Sequence, residues 1–409
     1  MGITRDNAAI KDSCPNAQPL PKWLISADRR GWRRVVQNFT PSWFAVTMGT
    51  GIVSVLLHAL ADLYPDCHEL LKILSMVFFV LNIFLFTVIF IISILRYTLY
   101  PATWSLMLRH PVESLFLGTF PMGFATIVNM FVVICVPAYG GRTPYIAWAM
   151  WWLDVAVSVA CCVGLPFQMM TKHQNCHETM TAAWLLPIVS CIVAAASGGV
   201  VASCLPHPEH AVLTLVTSYV LWGMGIPLAL VVMTIYFHRL AIHKLPPSEV
   251  MVSVFLPLGP MGQGGYGIMQ LGKVAADVLP KTKSLSPMAG EILYVLGWIA
   301  AIVLWGFGLV WLFFAVASTS RRKFPFNMGW WAFTFPNGVF TMSTISIGQE
   351  LPSAFFKVSG TVLAISVALF WLVVAAGTVK NMMYGNLFEA PCLREMERRA
   401  AAEKERQSV

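Results

Sequence analysis

Residues 256–267 read Leu256-Pro257-Leu258-Gly259-Pro260-Met261-Gly262-Gln263-Gly264-Gly265-Tyr266-Gly267. They lie within an otherwise apolar stretch, about 250–276, that is long enough to cross a bilayer, which takes about 20 apolar residues. Proline removes a backbone donor and glycine weakens a helix interior. Such backbone is tolerated at membrane depth only where it is buried in protein or lines a water-filled cavity. This string therefore predicts a helix held inside a multi-helix membrane body. Its glycines mimic a nucleotide-binding loop, but no strand and no βαβ unit surrounds them.

The composition around the string agrees. The chain has 409 residues, 57% of them hydrophobic and only 11% charged, against about 25% charged in soluble domains. Too little polar surface is left to coat a water-soluble body. Ten apolar stretches are separated by short polar segments, at about 41–60, 72–95, 115–136, 145–167, 182–202, 211–236, 250–276, 291–317, 327–347 and 358–379. The expected organisation is an N-terminal segment 1–37, a ten-helix transport domain 38–385 and a charged tail 386–409. An all-α polytopic membrane protein leaves no room for a soluble catalytic domain, so an enzyme is not expected. Residues 1–22 are polar and lack the apolar core of a cleaved signal.

Basic residues orient the chain. With an even number of spans both termini share one side, and Arg29, Arg30, Arg33 and Arg34 at one end with Arg394, Arg398 and Arg399 at the other place it in the cytoplasm. Arg96, Arg109, Lys172, Arg239, Lys244 and Arg321-Arg322-Lys323 fall on the same side, while Asp62, Asp66, Glu69, Glu209, Asp277 and Glu350 fall opposite. The net charge of +8 thus reflects topology and attraction to the inner leaflet, not nucleic acid. Residues 23–36, with Trp23, Leu24, Trp32 and Val35 among arginines, fit an interfacial amphipathic helix.

The odd-numbered spans differ in kind from the even ones. They concentrate glycine and proline, and an apolar residue before proline recurs as Phe120-Pro121, Leu186-Pro187, Leu256-Pro257 and Phe335-Pro336, at intervals of 66, 70 and 79 residues, the length of a helical hairpin. Five tandem hairpins follow, with Pro121, Pro187, Pro257, Pro260 and Pro336 expected as kinks. Polar residues in the odd spans recur at helical spacing: Thr47, Thr50, Ser54 and His58; Thr119, Thr126 and Asn129; Ser190 and Ser197; Gln263, Tyr266, Gln270 and Lys273; Thr334, Asn337, Thr341 and Thr344. Such groups can simply bond neighbouring helices. Five stripes on five broken helices instead favour an inner ring around a path.

No Asp or Glu occurs in any odd span, so a carboxylate cation site or proton relay has no residue to carry it. Hydroxyls, amides and helix ends donate to anions, and Lys273 is the only fixed positive charge along the stripes. A weak field of this kind suits a small monovalent anion. No metal or other cofactor is expected. His173, Cys176 and His177 resemble metal ligands in type, but 176 and 177 are adjacent and poorly placed to share an ion. Asp154 is the only acid deep in a span and is expected to pair with, or bond, a neighbouring hairpin.

Phe326-Asn327-Met328-Gly329-Trp330-Trp331-Ala332-Phe333-Thr334-Phe335-Pro336 resembles the ninth-span signature of the tellurite-resistance and dicarboxylate transporter family, which includes plant slow anion channels. Asn38 to Gly51, Phe120-Pro121-Met122-Gly123 and the 256–264 string resemble its fungal branch of sulfite exporters, and the likeness covers residues 38–385. The resemblance implies ten transmembrane helices as five helical hairpins around a pseudo-fivefold central pore lined by the odd helices. It also implies homo-oligomers, trimers or dimers, in a plasma membrane, and a gating phenylalanine that falls on Phe335, with Phe120 at the matching place in the second hairpin. The implied cargo is sulfite or bisulfite. Malate or another C4-dicarboxylate, or a broader range of small anions, is the alternative.

Overall fold

A computed structural model describes residues 31–398. Arg29, Arg30, Arg399 and the Trp23–Leu24 half of the expected interfacial helix lie outside them, and the nearest described helix is the short Trp32–Gln37.

Among the described residues the regular structure is entirely helical, and ten principal helices follow one another. They are α1 (Phe44–Leu63), α2 (His68–Leu99), α3 (Thr119–Met130), α4 (Thr143–Thr171) and α5 (Leu186–Ala202) in the first half. The second half holds α6 (Pro208–His243), α7 (Leu258–Thr282), α8 (Ala289–Thr319), α9 (Phe335–Glu350) and α10 (Ala354–Met383). A π-turn at Phe131–Cys135 carries α3 on to Tyr139. The chain is thus a multi-pass membrane protein.

By length and apolarity, eight helices qualify to cross a membrane, two fewer than the expected ten. The two that fall short are α7 and α9. At 16 residues, α9 is about 24 Å long, less than the roughly 30 Å hydrocarbon core. In α7 the glycines, Gln263, Gln270 and Lys273 lower the mean apolarity. Both are nearly enclosed by protein, so neither needs a lipid-compatible surface.

Packing divides the helices into two sets. In the most apolar windows of α1, α3 and α5, 78%, 61% and 94% of residues are buried, against 17% in α2 and 22% in α10. Each odd helix packs on its following even helix, and the odd helices also contact one another in a closed order: α1 with α3, α3 with α5, α5 with α7, α7 with α9, and α9 with α1. Small residues permit this approach. A Cβ at Gly262 would collide with the backbone of Val339 and Phe340, so α7 and α9 touch main chain to main chain.

The prolines do not kink these helices midway. Pro187 and Pro336 are second residues of α5 and α9, Pro121 and Pro260 third residues of α3 and α7, and Pro257 immediately precedes α7. A helix start has no use for the missing N–H, so proline is tolerated there. Each odd helix is entered through a 3₁₀ segment, Pro41–Trp43, Ser114–Gly118, Ala182–Leu185, Ser248–Phe255 or Met328–Phe333.

Two of the basic residues read as loop charges are structural. Arg96 is fully buried, donates to the Phe39 carbonyl at 2.8 Å and pairs with Glu113 at 3.1 Å. Arg239, 3% exposed, donates to the carbonyls of Glu178 and Lys244.

Candidate anion pathway

The N-terminal turns of the five odd helices converge on one cavity of about 300 Å³. Ala45 and Met48 of α1, Thr119 and Met122 of α3, Leu186 and Val189 of α5, Gly259 of α7, and Phe335 and Pro336 of α9 form its inner wall. Its rim includes Glu249, Asn327 and Gly329. The Asn327 amide donates to the Glu249 carbonyl at 2.7 Å and accepts from Gly329 N at 2.8 Å, joining the lead-ins of α7 and α9.

No lysine or arginine lines this space. A helix N-terminus carries the equivalent of about half a positive charge, from amide groups that lack intrahelical acceptors. The first amides of the odd α-helices are already bonded to their 3₁₀ lead-ins, as Phe44 N is to the Pro41 carbonyl, Leu186 N to Ala183 and Gly259 N to Leu256. The dipoles of these lengthened helices, not free first-turn amides, therefore point at the cavity, whose lining is mainly apolar with Thr119, Asn327 and Glu249 among it. That combination attracts an anion without holding it tightly.

Phe335 is 2% exposed and lies on the wall. Its position follows from the helix start, because the turn Met328–Phe333 ends just before it and Pro336, the second helical residue, has its φ fixed by the ring. Phe120 has a different setting. It packs against Phe44, Phe86 and Phe90 and faces a separate cleft toward α2 and α4. Equivalence in the repeat does not make it a second gate, since the ring leaves its helix on the opposite side from Thr119 and Met122.

The expected polar stripes separate into two groups. Several stitch the odd helices to the even ones: Thr50 accepts from Trp371 Nε1 at 3.1 Å, Ser54 donates to the Ser75 carbonyl at 2.7 Å, and Ser190 donates to the Ser158 carbonyl at 3.1 Å. Thr126 and Thr344 likewise accept from Asn82 and Trp305. A hydroxyl at an apolar interface bonds the nearest carbonyl or indole, so these face away from the centre. Thr47 and Thr341 donate to carbonyls of their own helices, Phe44 and Asn337.

The second group keeps free capacity. Gln263, one turn beyond cavity-lining Gly259, is 5% exposed and its amide has no hydrogen-bond partner among the described residues. Asn337 donates to the Phe333 carbonyl at 2.8 Å and leaves its oxygen uncommitted. Asn129 Oδ1 and Ser197 Oγ are buried without partners among the described residues. Gln270 is half-buried at the contact between α5 and α7, beside Gly199.

Lys273 is not the free cation expected. Its ammonium meets Glu350 of α9 at 2.5 Å, and Tyr294 of α8 donates to the same carboxylate. The neutralised pair closes the end of the helix set opposite the cavity. Sequence reading missed Glu350 and Tyr294 because they lie 77 and 21 residues from Lys273. Met48, Met122 and Val189 were missed because an apolar residue in an apolar span carries no distinguishing signal.

Among the described residues no group of three potential ligands could hold a metal ion. His173 instead bonds the Leu108 carbonyl at 2.9 Å, and His177 lies against His238 and His243. Asp154 is buried, yet neither oxygen has a partner among the described residues, so the expected inter-hairpin bond is not made.

The family model described as SLAC1, voltage-dependent anion channel, matches residues 38–379. The sulfite efflux pump SSU1 of Arthroderma benhamiae is 53% identical over 353 residues, 86% of this chain and 93% of that protein. The protein of the same name in Candida albicans is 32% identical across 81% of this chain and 71% of its own length. The malic acid transport protein of Schizosaccharomyces pombe is 25% identical across 90% of this chain and 84% of that protein.

Proposed function

The chain belongs to the SLAC1 family of voltage-dependent anion channels, and from that premise we propose that it exports sulfite, as the bisulfite monoanion, across the plasma membrane. The observation that carries this reading is the cavity at which the entry turns of all five odd helices meet, free of lysine and arginine. Backbone dipoles suit one delocalised negative charge. A dicarboxylate such as malate calls for fixed cations, typically bidentate arginine, and the one lysine on the stripes is already paired.

In this reading all ten helices cross the membrane as five hairpins around a pseudo-fivefold pore, with both termini cytoplasmic. The cavity is the inner vestibule, and the subunit assembles as a homo-oligomer, trimer or dimer, each copy with its own pore. Phe335 is the gate at the vestibule floor. Gln263, Asn337, Asn129 and Ser197 are the donors and acceptors met beyond it. An inside-negative potential drives a monoanion outward by about 2.3 kcal/mol per 100 mV, so no nucleotide-hydrolysing partner is required, and no reaction is catalysed.

Proteoliposomes loaded with sulfite, malate, nitrate or chloride under an imposed potential test this directly. Sulfite flux well above malate flux is expected. Malate carried as well as sulfite would overturn the assignment in favour of dicarboxylate transport, and chloride and nitrate carried as fast as sulfite would make the protein a general small-anion channel.

A further inference from the structure

The cleft that Phe120 faces has the two halves of a lipid site. Between α2 and α4 lies an apolar trough of about 800 Å³, walled by Phe90, Ile94, Tyr97, Phe120, Val157 and Leu165. Its α4 side is lined by small residues, Ala156, Ala160 and Gly164, and a Cβ at Gly164 would meet no atom within 4 Å. The trough is therefore open beside Gly164, and Ala156 and Ala160 on the same wall are exposed. Trp104 and Leu108, from the short helix Ala102–Arg109, cover one end with Gln168 of α4.

Beside that end, a separate polar pocket of about 550 Å³ is lined by Arg109, His110, Lys172, Gln174 and Glu395. Arg109 follows Leu108, and Lys172 lies one turn beyond Gln168. The bond from His173 to the Leu108 carbonyl, 2.9 Å, holds the end of the Ala102–Arg109 helix to the end of α4. Arg109 and Lys172 have no ion-pair partner among the described residues, while Glu395, the carboxylate on the pocket wall, lies 3.6 Å from His110 Nε2. Two uncommitted cations thus stand at the interface end of a trough shaped for hydrocarbon.

We propose that this cleft binds an anionic glycerophospholipid from the leaflet on the side of Arg109 and Lys172. The acyl chains occupy the trough, where burying each CH₂ is favourable only for a ligand that carries chains. The phosphodiester and a headgroup carboxylate, as in phosphatidylserine, engage Arg109 and Lys172, each cation adding about tenfold or less to retention. Phosphatidylcholine offers the same chains, but its ammonium offsets the phosphate. Inorganic phosphate offers the charge without the chains. This site is independent of which anion the pathway carries.

The test uses the full chain purified in detergent, with Tm and retained lipid measured after adding phosphatidylserine, phosphatidylcholine or inorganic phosphate. Phosphatidylserine is expected to raise Tm and to co-purify, with phosphatidylcholine weaker and phosphate inert. Arg109→Gln with Lys172→Gln should lower phosphatidylserine retention about tenfold or more and erase the preference over phosphatidylcholine. Ala160→Phe with Gly164→Leu, at exposed positions with space around them, should displace both lipids. Equal stabilisation of the unaltered protein by both lipids, or a phosphate effect matching that of phosphatidylserine, would overturn the proposal without reliance on any variant. Trough-filling substitutions that split the oligomer while phosphatidylserine still binds would show that a second copy of this chain covers the trough.

Discussion

The two ends of the odd helices handle charge in opposite ways. At their N-terminal ends the five helices point at a mainly apolar cavity without lysine or arginine, so what attracts an anion there is helix dipole and not fixed positive charge. At the far end the one stripe lysine is neutralised by Glu350, which is also held by Tyr294. A path with a strong cation at its exit would trap the anion it admits. On the proposed pathway, diffuse attraction at one end and cancelled charge at the other would let an anion both enter and leave.

The largest effect that sharpens this contrast is expected at the entrance. Phe335→Ala removes the ring from the vestibule floor and lets water and ions through, so flux per molecule should rise on the order of tenfold. If Phe335 is core packing instead, the substitution costs about 3–5 kcal/mol and lowers yield with flux per molecule unchanged. Liposome flux normalised to protein distinguishes the two.

The exit pair gives an effect of either sign. Lys273→Met leaves Glu350 as a bare carboxylate facing outgoing anions, and flux should fall several-fold. Glu350→Gln frees Lys273, which should slow release of the anion and raise its apparent affinity. The double variant restores neutrality and should return close to the original flux, a coupling on the order of 1 kcal/mol. Purely additive single effects would mean that the pair lies off the path.

Smaller changes separate the two groups of stripe residues. Gln263→Leu deletes an uncommitted amide one turn above the cavity and should reduce sulfite flux a few-fold with normal assembly, because only a donor and acceptor for the ion are lost. Thr50→Val deletes a hydroxyl that serves Trp371 and should cost about 1 kcal/mol of stability, with flux unchanged. A thermal melt beside the flux assay reads both. Loss of flux in Thr50→Val, or none in Gln263→Leu, would reverse the division drawn between outward and inward residues.

The period of the sequence already separated odd from even helices, because glycine, proline and polar residues are costly against lipid and collect where protein surrounds them. The absence of acids from the interior of the odd spans, where Asp62, Asp277 and Glu350 lie only toward the helix ends, likewise points to an anion. The facing of each polar group was not legible. On a helix buried on all sides the hydrophobic period no longer distinguishes one face from another, so Thr50, Ser54 and Ser190, which bond even helices, shared stripes with Asn129, Ser197 and Asn337, whose oxygens keep free capacity.

The prolines show the same boundary between sequence and structure. Their spacing revealed the repeat, but whether proline bends a helix or begins one depends on where the preceding 3₁₀ turn ends, and packing at the rim sets that, as Asn327 does when it ties Gly329 to Glu249. The pairing of Lys273 with Glu350 and the separation of Phe120 from Phe335 were likewise decided only in three dimensions. Residues far apart in the chain meet when the helices close on one another, and two positions equivalent in a repeat face different neighbours once the side chains settle against them.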